Sequence, residues 1–311
     1  MNILVTGGAG FIGSHLVDCL LDRGNTVTCI DNLSLGSKEN LQQAFLYSKK
    51  FKFIEVDMLN VENLEHIFQT NNFEMVYHLV ANSDISTGTD DPSIDLGNTF
   101  QTTFNVLECM RNYSVSKLFF PSTSAIYGDT KNLISENTPR NPCSLYGAAK
   151  LASESYISAY CYLYGIKAWT LRLSNIVGPR STHGVIYDFI KKLKNTPDEL
   201  KVLGDGNQNK PYIHIEELVQ CIIYICENSN NLLNDYNVAP KDTATVKQIA
   251  ELVVSEFSPN ASIAYEKKEI GWAGDVTYYN YDTSKISALG WNTSSSSFEA
   301  IKKAVKDIKK S

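Results

Sequence analysis

The stretch Thr6-Gly7-Gly8-Ala9-Gly10-Phe11-Ile12-Gly13 follows the apolar run Asn2–Val5 and opens a helical pattern. Its glycines have the G-x-G-x-x-G spacing, and Gly7 adds a second fit as G-x-x-G-x-x-G. Because glycine has no side chain, the backbone can turn tightly there and approach a pyrophosphate, and the start of a helix favours that negative charge. We predict a dinucleotide site at the residues Gly7, Gly10, Phe11, Ile12 and Gly13.

Short apolar segments alternate with helical segments through the first half of the chain. The strand patterns lie at Asn2–Thr6, Val27–Asp31, Lys52–Val56, Met75–Leu79, Leu118–Pro121 and Ala168–Arg172. The helical patterns lie at Phe11–Asp22, Val61–Gln69, Ser93–Asn112 and Leu145–Tyr164. Strands that are apolar on both faces suit a parallel sheet with helices on each side. We therefore predict an α/β fold, with a Rossmann-like doubly wound parallel sheet that binds the dinucleotide, for residues 1–172.

Beyond residue 172 the pattern changes to shorter mixed elements and longer loops. Helices are predicted at Val185–Asn195, Ile215–Asn228, Val246–Glu256 and Phe298–Lys309. We assign residues 173–311 to a smaller C-terminal substrate-binding lobe. This boundary is approximate, because we expect the chain to cross between the two lobes more than once.

Asp31 ends the second predicted strand, where a carboxylate can accept hydrogen bonds from the ribose hydroxyls of a dinucleotide. Its charge repels a 2′-phosphate, and the nearest cation in the sequence is Lys38, so we predict NAD rather than NADP as the cofactor. Asn32, the next residue, is assigned to the same site. After the third strand, Asp57 and Met58 are candidates for an adenine contact, although an Asp at such a position is equally typical of a helix cap.

Tyr146 and Lys150 lie four residues apart, on one face of a predicted helix. A free phenol has a pKa of about 10 and is a poor base at neutral pH, but a neighbouring ammonium and the positive charge of NAD⁺ both favour phenolate. We predict that Tyr146 is the catalytic base and that Lys150 is its partner and a donor to the nicotinamide ribose. The hydroxyls of Ser122–Ser124 follow an apolar strand, and either bind the substrate oxygen or stabilise their own turn. These residues predict an enzyme that transfers a hydride and a proton between NAD and an alcohol or ketone.

With these motifs the chain resembles an extended short-chain dehydrogenase/reductase of the nucleotide-sugar epimerase and dehydratase family. The resemblance rests on an ordered set that spans nearly the whole chain: TGGAGFIG at Thr6, DNLS at Asp31, HLVA at His78, STSAIYG at Ser122, YGAAK at Tyr146, RLSNIVGP at Arg172, GDG at Gly204 with His214, GDV at Gly274 and DTSK at Asp282. The family implies that Thr123 contacts the reacting sugar oxygen and that Tyr146 is the base. It also implies cofactor contacts at Leu79, Ala81 and Asn98, the last of which is equally explained as a helix cap. The nucleotide-sugar site that it implies includes Asp84, Ser86, Ser124 and Asn175.

The chain also departs from the family pattern. Ser124 and Ala125 stand where the 4,6-dehydratases carry an Asp-Glu pair, so the acid and base for eliminating water are missing and a dehydratase is disfavoured. Lys210 and Trp272 stand at or beside the places of two arginines that usually clamp the diphosphate, and an ammonium does not reproduce a bidentate guanidinium. We expect the diphosphate to be held differently, with Arg180 or His183 assisting, and Trp272 either to stack on the substrate or to pack in the core.

The resemblance implies NAD-dependent oxidation at C4 of a nucleotide-diphosphate sugar. Two outcomes stay open: a 4-epimerase returns the hydride to the other face, whereas a 4-dehydrogenase releases the 4-keto sugar, as the GDP-heptose 4-dehydrogenases do. Either would serve bacterial capsule or lipopolysaccharide biosynthesis. A relative that binds NAD and signals without catalysis is a further alternative, although such proteins typically lose the Tyr or the Lys.

Composition excludes several other classes. A net charge of −6 over 311 residues leaves no basic surface for nucleic acid, and no apolar run is long enough to span a bilayer. The seven cysteines and the apolar amino terminus predict reduced thiols, no leader and a cytoplasmic protein. No histidine has metal-ligand spacing, so we predict no metal. Surplus apolar and aromatic residues on the helices at 93–112 and 145–164, together with the common assembly of the family that the chain resembles, predict a homodimer; on the second helix they include Tyr156, Tyr160, Tyr162 and Tyr164.

Overall fold

The structure, a computed structural model, describes residues 1–130, 132–266 and 279–310. The strands are β1 (Asn2–Thr6), β2 (Thr26–Asp31), β3 (Phe51–Glu55), β4 (Met75–His78), β5 (Lys117–Thr123), β6 (Leu133–Ile134), β7 (Lys167–Leu173), β8 (Asn175–Val177), β9 (Glu199–Val202), β10 (Asn209–Lys210), β11 (Tyr212–His214), β12 (Leu233–Val238), β13 (Ala244–Thr245), β14 (Ser262–Tyr265) and β15 (Asn280–Tyr281).

The α-helices are α1 (Phe11–Asp22), α2 (Gln42–Phe45), α3 (Val61–Gln69), α4 (Ile85–Asp90), α5 (Pro92–Asp95), α6 (Thr102–Asn112), α7 (Leu145–Tyr164), α8 (Val185–Asn195), α9 (Ile215–Asn228), α10 (Val246–Phe257), α11 (Ser284–Ala288) and α12 (Ser297–Lys310). Short 3₁₀ helices lie at Lys38–Leu41 and Ser124–Tyr127, and a π-helical segment lies at Leu96–Gln101. The helices α1, α3, α7, α8 and α9 begin and end at the predicted residues.

A seven-stranded sheet, in the order β3-β2-β1-β4-β5-β7-β12, forms the centre of the fold. The pairs β1–β2, β2–β3, β1–β4 and β4–β5 are parallel. The strands β1, β4 and β7 are buried along nearly their whole length, which is why they read as continuous apolar runs. The order reverses between β1 and β4, and doubly wound sheets bind ligands outside the carboxyl ends of the strands at such a point. The predicted Rossmann-like α/β fold is confirmed.

The chain divides into two compact units. Unit 1 comprises residues 1–128, 140–172 and 219–236, and unit 2 comprises residues 129–139, 173–218 and 237–311. Each has its own apolar core: Leu4, Val76 and Phe120 are among the residues of the first, and Phe189, Ile249 and Ile301 are among those of the second. One junction falls after Arg172, and the chain changes unit at four further points.

The helix predicted over Ser93–Asn112 is wrong as a single α-helix. α5 begins at Pro92, and Asp91 caps it by accepting a hydrogen bond from the Ser93 N–H at 3.0 Å. The π-helical segment then widens the turn by one residue per hydrogen bond before α6 begins. Spacing of apolar residues does not reveal such a widening, because the side chains on either side keep a helical period.

In the part of the chain that the structure describes, no helix is both long and apolar enough to cross a membrane. All seven cysteines lie in that part and are free thiols, and the four at Cys29, Cys109, Cys161 and Cys221 are buried. Burial raises the pKa of the Cys109 thiol to about 12, so it is inert at neutral pH.

Candidate active site

The turn between β1 and α1 has the shape that its glycines require. Gly7 has a φ of 66°, in the left-handed region, and a Cβ there would lie 2.9 Å from the Val80 nitrogen. A Cβ on Gly13 would lie 2.2 Å from the Gly7 carbonyl oxygen. Gly10 caps α1, so the first N–H groups of the helix, from Phe11 and Ile12 onward, are not covered by a capping side chain. The predicted glycine residues therefore form one compact turn, open to an anion at a helix start.

Asp31 is buried at the carboxyl end of β2. Its two carboxylate oxygens accept from the Ala9 N–H at 3.0 Å and from the Leu33 N–H at 2.8 Å. Burial raises the pKa of Asp31 and these backbone donors lower it. The carboxylate is thus fixed against the glycine turn and keeps lone pairs for further donors. A glycine cradle with a fixed carboxylate beside it fits the pyrophosphate and ribose of NAD.

The other predicted cofactor residues lie at neighbouring strand ends. Asn32 donates to Asp57 at 3.5 Å, so the ends of β2 and β3 meet there. Met58 is buried in the core of unit 1, and its carbonyl accepts from Asn105 at 2.9 Å. Leu79 and Ala81 follow β4, and the Leu79 N–H donates to the Thr6 carbonyl at 3.0 Å. Asn98 lies in the π-helical segment and is partly exposed, whereas Thr99 beside it is fully buried.

Tyr146 lies in the first turn of α7, which begins after Ser144 caps it by accepting from the Gly147 N–H. Burial, and then the charge of Asp95, raise the pKa of Tyr146 to about 12, while the Thr123 side chain at the end of β5 lowers it. The predicted base and the predicted oxygen-binding hydroxyl are therefore brought together.

Lys150 lies one helical turn after Tyr146 and is only 2% exposed. Its Nζ donates to the Pro121 carbonyl at 2.8 Å and lies 4.4 Å from the centre of the Phe120 ring. Burial lowers the pKa of Lys150 to about 7, and the charge of Glu154 opposes this shift. The ammonium is held in place by strand β5, whose carboxyl end also carries Thr123.

Sequence reasoning missed a buried ion network behind Lys150. Glu154 accepts from Arg172 with both carboxylate oxygens, at 3.1 Å and 2.9 Å. Arg172 also donates to the Tyr127 hydroxyl at 2.9 Å and lies 3.3 Å from Asp235. An available signal was an Arg inside an otherwise apolar strand, with a Glu four residues after the catalytic Lys.

Asn82 organises the segment that the family resemblance assigns to the sugar. Its side chain contacts the backbone of Asp84 twice and donates to Asp95 at 3.1 Å. Ser124 is buried in the 3₁₀ helix that follows Thr123. Ser86 lies within α4. Asp95, which sequence reasoning also missed, is 1% exposed.

Unit 2 carries the residues predicted for the diphosphate. Asn175 in β8 pairs with Tyr212 in β11, and its side chain donates to the Pro211 carbonyl at 3.2 Å, directly after Lys210. Arg180 has a φ of 65°, a conformation that a non-glycine residue adopts only when its surroundings impose it. Trp272 lies outside the described residues.

A cluster of His214, Glu216 and Asp307 in unit 2 offers three ligand atoms within 4.8 Å of one another. Lys303 already occupies this cluster, with its Nζ 2.8 Å from Glu216, 3.0 Å from Asp307 and 3.4 Å from His214. A resident ammonium supplies the positive charge and repels a divalent cation, so the cluster is an ion network.

Comparison with known proteins agrees with this geometry. Residues 3–239 match the sequence profile of the NAD dependent epimerase/dehydratase family. A UDP-glucose 4-epimerase of Mycolicibacterium smegmatis is 34% identical over 229 residues, which cover 72% of each chain. The crystal structure of UDP-glucose 4-epimerase from Thermotoga maritima with UDP-glucose is 32% identical, with a TM-score of 0.89 over 100% of this chain and 99% of that one. That of the Thermus thermophilus enzyme in complex with NAD is 31% identical, with a TM-score of 0.88 over 99% of both.

Proposed function

The chain belongs to the NAD dependent epimerase/dehydratase family and is an enzyme with NAD as its cofactor; from this premise we propose that it is a UDP-sugar 4-epimerase. The observation that carries the proposal is Tyr146, which lies one helical turn from Lys150 and whose pKa the Thr123 side chain lowers. Relatives that cover the chain from end to end are UDP-glucose 4-epimerases, which favours a UDP-hexose over other nucleotide sugars.

The proposed reaction needs one group that takes and returns a proton. NAD, when bound, would supply the acceptor for the C4 hydride and then its donor to the opposite face of the ketone. Tyr146 takes the proton of the C4 hydroxyl in the first half and gives it back in the second, so atoms and electrons balance over one cycle. Thr123 holds the same oxygen through its hydroxyl, which limits the reaction to the carbon beside it.

Lys150 has two roles in this proposal. Its ammonium lowers the pKa of Tyr146 and donates to the nicotinamide ribose. Burial lowers the pKa of Lys150 to about 7 even though the charge of Glu154 opposes this shift, so Glu154 helps to keep it protonated near neutral pH. Gly7, Gly10 and Gly13 would hold the pyrophosphate, and Asp31 the adenine ribose.

The diphosphate of the sugar nucleotide is assigned to unit 2. The Asn175 side chain donates to the carbonyl of Pro211, the residue after Lys210. Arg180 follows β8 in the same unit. We assign Asp84, Ser86 and Ser124 to the sugar. Lys210 in place of the family's usual Arg supplies charge without a bidentate fork, so we expect phosphate binding that depends strongly on salt.

Nothing in the part of the chain that the structure describes supports elimination of water. Ser124 and Ala125 occupy the 3₁₀ helix where a dehydratase carries its acid and base, and Ser124 is buried. A 4-dehydrogenase uses the same groups as an epimerase and differs only in releasing the ketone. We also propose that the product serves surface-polysaccharide synthesis and that the protein is cytoplasmic.

The test is incubation of the purified protein with UDP-glucose, UDP-N-acetylglucosamine, UDP-glucuronic acid and GDP-mannose, without added oxidant, followed by NMR of the products. We expect the 4-epimer of one UDP-sugar, formed with catalytic NAD and no net NADH. A 4-keto sugar with one equivalent of NADH would identify a dehydrogenase instead. No conversion of any nucleotide sugar would overturn the proposal.

A further inference from the structure

Asp95 is a buried carboxylate next to the catalytic helix. It ends α5 and is 1% exposed. Oδ1 accepts from the Asn82 side chain at 3.1 Å. Among the described residues Oδ2 has no hydrogen-bond partner, although it is buried as well. A carboxylate with one unsatisfied oxygen is costly to bury, so its retention calls for a reason beyond packing.

Space for this carboxylate is made by Gly88. A Cβ on Gly88 would lie 1.8 Å from Oδ2 of Asp95, so only glycine lets α4 pass this close. Both α4 and α5 pack against α7, the helix that carries Tyr146. The arrangement places the Asp95 carboxyl beside α7, shields it from water, and lets its charge act on Tyr146.

The other charged groups named on α7 and on the helices packed against it either bind other residues or are exposed to solvent. On α6, Glu108 binds Arg111 at 2.8 Å and the Tyr160 hydroxyl at 2.5 Å, at the other end of α7. On α4, Asp90 is exposed. On α7 itself, Glu154 is held by Arg172. Among the described residues, the groups that act on Tyr146 are therefore Asp95 and the Thr123 side chain, and Lys150 lies one helical turn away.

We propose that Asp95 is a positioning residue for the reaction, whose buried negative charge keeps the Tyr146 oxygen basic enough to take the sugar's proton. The proposal rests on the proposed function. Two positive charges, the Lys150 ammonium and oxidised NAD, act on Tyr146 when it must act as a base. Together they would make its phenolate stable and therefore weakly basic. Asp95 opposes them, and this agrees with its raising effect on the pKa of Tyr146.

The test compares Asp95→Asn with wild type as holoprotein with NAD bound. Asn keeps an oxygen that can accept from Asn82 but removes the charge. The readout is carbon NMR of tyrosine labelled at Cζ, titrated with pH, with the Tyr146 resonance assigned by its loss in Tyr146→Phe. We expect the Tyr146 midpoint to fall by about one pH unit in Asp95→Asn, as for removal of a nearby like charge. Asp90→Asn, an exposed carboxylate on the neighbouring helix, is the matched control and should leave the midpoint unchanged.

Turnover gives a second readout. In Asp95→Asn the acid limb of the kcat/KM profile should move to lower pH by the same amount, with a lower plateau, because a less basic phenolate is a weaker general base. A purely structural role would lower the plateau without moving the limb. Should Asp95→Asn fold poorly, Asp95→Ser is smaller, keeps an acceptor for Asn82 and should give the same shift.

The NMR titration needs no substrate, so it decides the role of Asp95 even if every nucleotide sugar fails as a substrate. An unchanged Tyr146 midpoint in folded, NAD-bound Asp95→Asn would overturn the inference. A shift of equal size in Asp90→Asn would also overturn it, since the effect would then come from general surface charge.

Discussion

The surroundings of Tyr146 oppose ionisation of its hydroxyl, because they raise its pKa above the usual value of a tyrosine. Burial and Asp95 raise its pKa to about 12, and the Thr123 side chain opposes this only in part. At neutral pH this phenol therefore keeps its proton, and the positive charge of bound NAD⁺ would favour its removal.

Tyr146→Phe should lower epimerase activity by about 10²–10⁴-fold, the usual contribution of a general base. NAD should remain bound, because the glycine turn and Asp31 are untouched. Activity and bound NAD are measured on the same preparation. Tyr156→Phe, further along the same helix, is the control and should stay near wild type. Activity of Tyr146→Phe within a few-fold of wild type would remove this residue from the mechanism.

His78 makes the stability of unit 1 depend on pH. It is fully buried between the Thr6 and Thr103 hydroxyls, and burial, with a smaller effect of Lys150, lowers its pKa to about 3 from the usual 6.5. The folded state keeps this imidazole neutral, while the unfolded state takes up a proton below pH 6.5. Its contribution to stability is therefore complete above that pH and is lost as the pH falls toward 3.

We expect the free energy of unfolding to fall by about 1.4 kcal/mol per pH unit from this group alone across that window. Urea unfolding at several pH values, for wild type and for His78→Gln, measures the difference between the two slopes. Gln keeps hydrogen-bonding groups at the site and cannot titrate. Equal slopes for both proteins would show that His78 is not the group responsible.

At the scale of one element, α7 carries both the proposed catalytic residues and part of the buried ion network. Tyr146, Lys150 and Glu154 follow one another at four-residue intervals and so share a face of the helix. That face meets β5 through Lys150 and β7 through Glu154 and Arg172. The helix starts at a Ser144 cap and ends at Gly165, which takes the left-handed conformation with a φ of 71°.

Arg172→Met should destabilise the protein by about 3–5 kcal/mol, because Glu154 and Asp235 lose the cation that compensates their burial. The readout is urea unfolding at neutral pH. Arg111→Met, which breaks an exposed pair with Glu108, is the matched control and should cost much less. A loss in Arg172→Met no larger than that of the control would show that the network does not contribute to stability.

At the scale of the whole molecule, unit 1 presents an apolar surface on α6 and α7. On α7, Tyr156 is 43% exposed, Leu163 63% and Tyr164 50%. Phe100 and Phe104 pack edge-on against Tyr156. Tyr160, which the sequence suggested for the same surface, is instead buried within the unit. Exposed apolar groups that adjoin in this way usually mark an interface.

We predict that the protein is a homodimer through this surface of α6 and α7. Tyr156→Glu combined with Leu163→Glu should shift it to monomer in sedimentation experiments at micromolar concentration. Tyr162→Glu is the control: this residue is 86% exposed and, at 100° per residue, lies on another side of α7. A monomeric wild-type protein, or a double variant that remains dimeric, would contradict the prediction.

The sequence alone determined the features that depend on near neighbours. Glycine spacing predicted the turn after β1, and apolar periodicity predicted the bounds of α1, α3, α7, α8 and α9. Tyr146 and Lys150 were recognised because a helix brings residues four apart together. These features are encoded within one turn or one strand, where backbone geometry leaves few alternatives.

The tertiary structure decided what depends on contacts between distant segments. Asp95 stands 51 positions before Tyr146, and Glu154 stands 18 before Arg172. The pKa shifts of Tyr146 and Lys150 follow from burial, which no local pattern states. The π-helical segment at Leu96–Gln101 likewise interrupts the predicted α-helix. This segment and α5 pack against α7. Burial and long-range packing are properties of the assembled sheet and helices, so the environment of each catalytic group is settled only when the chain is folded.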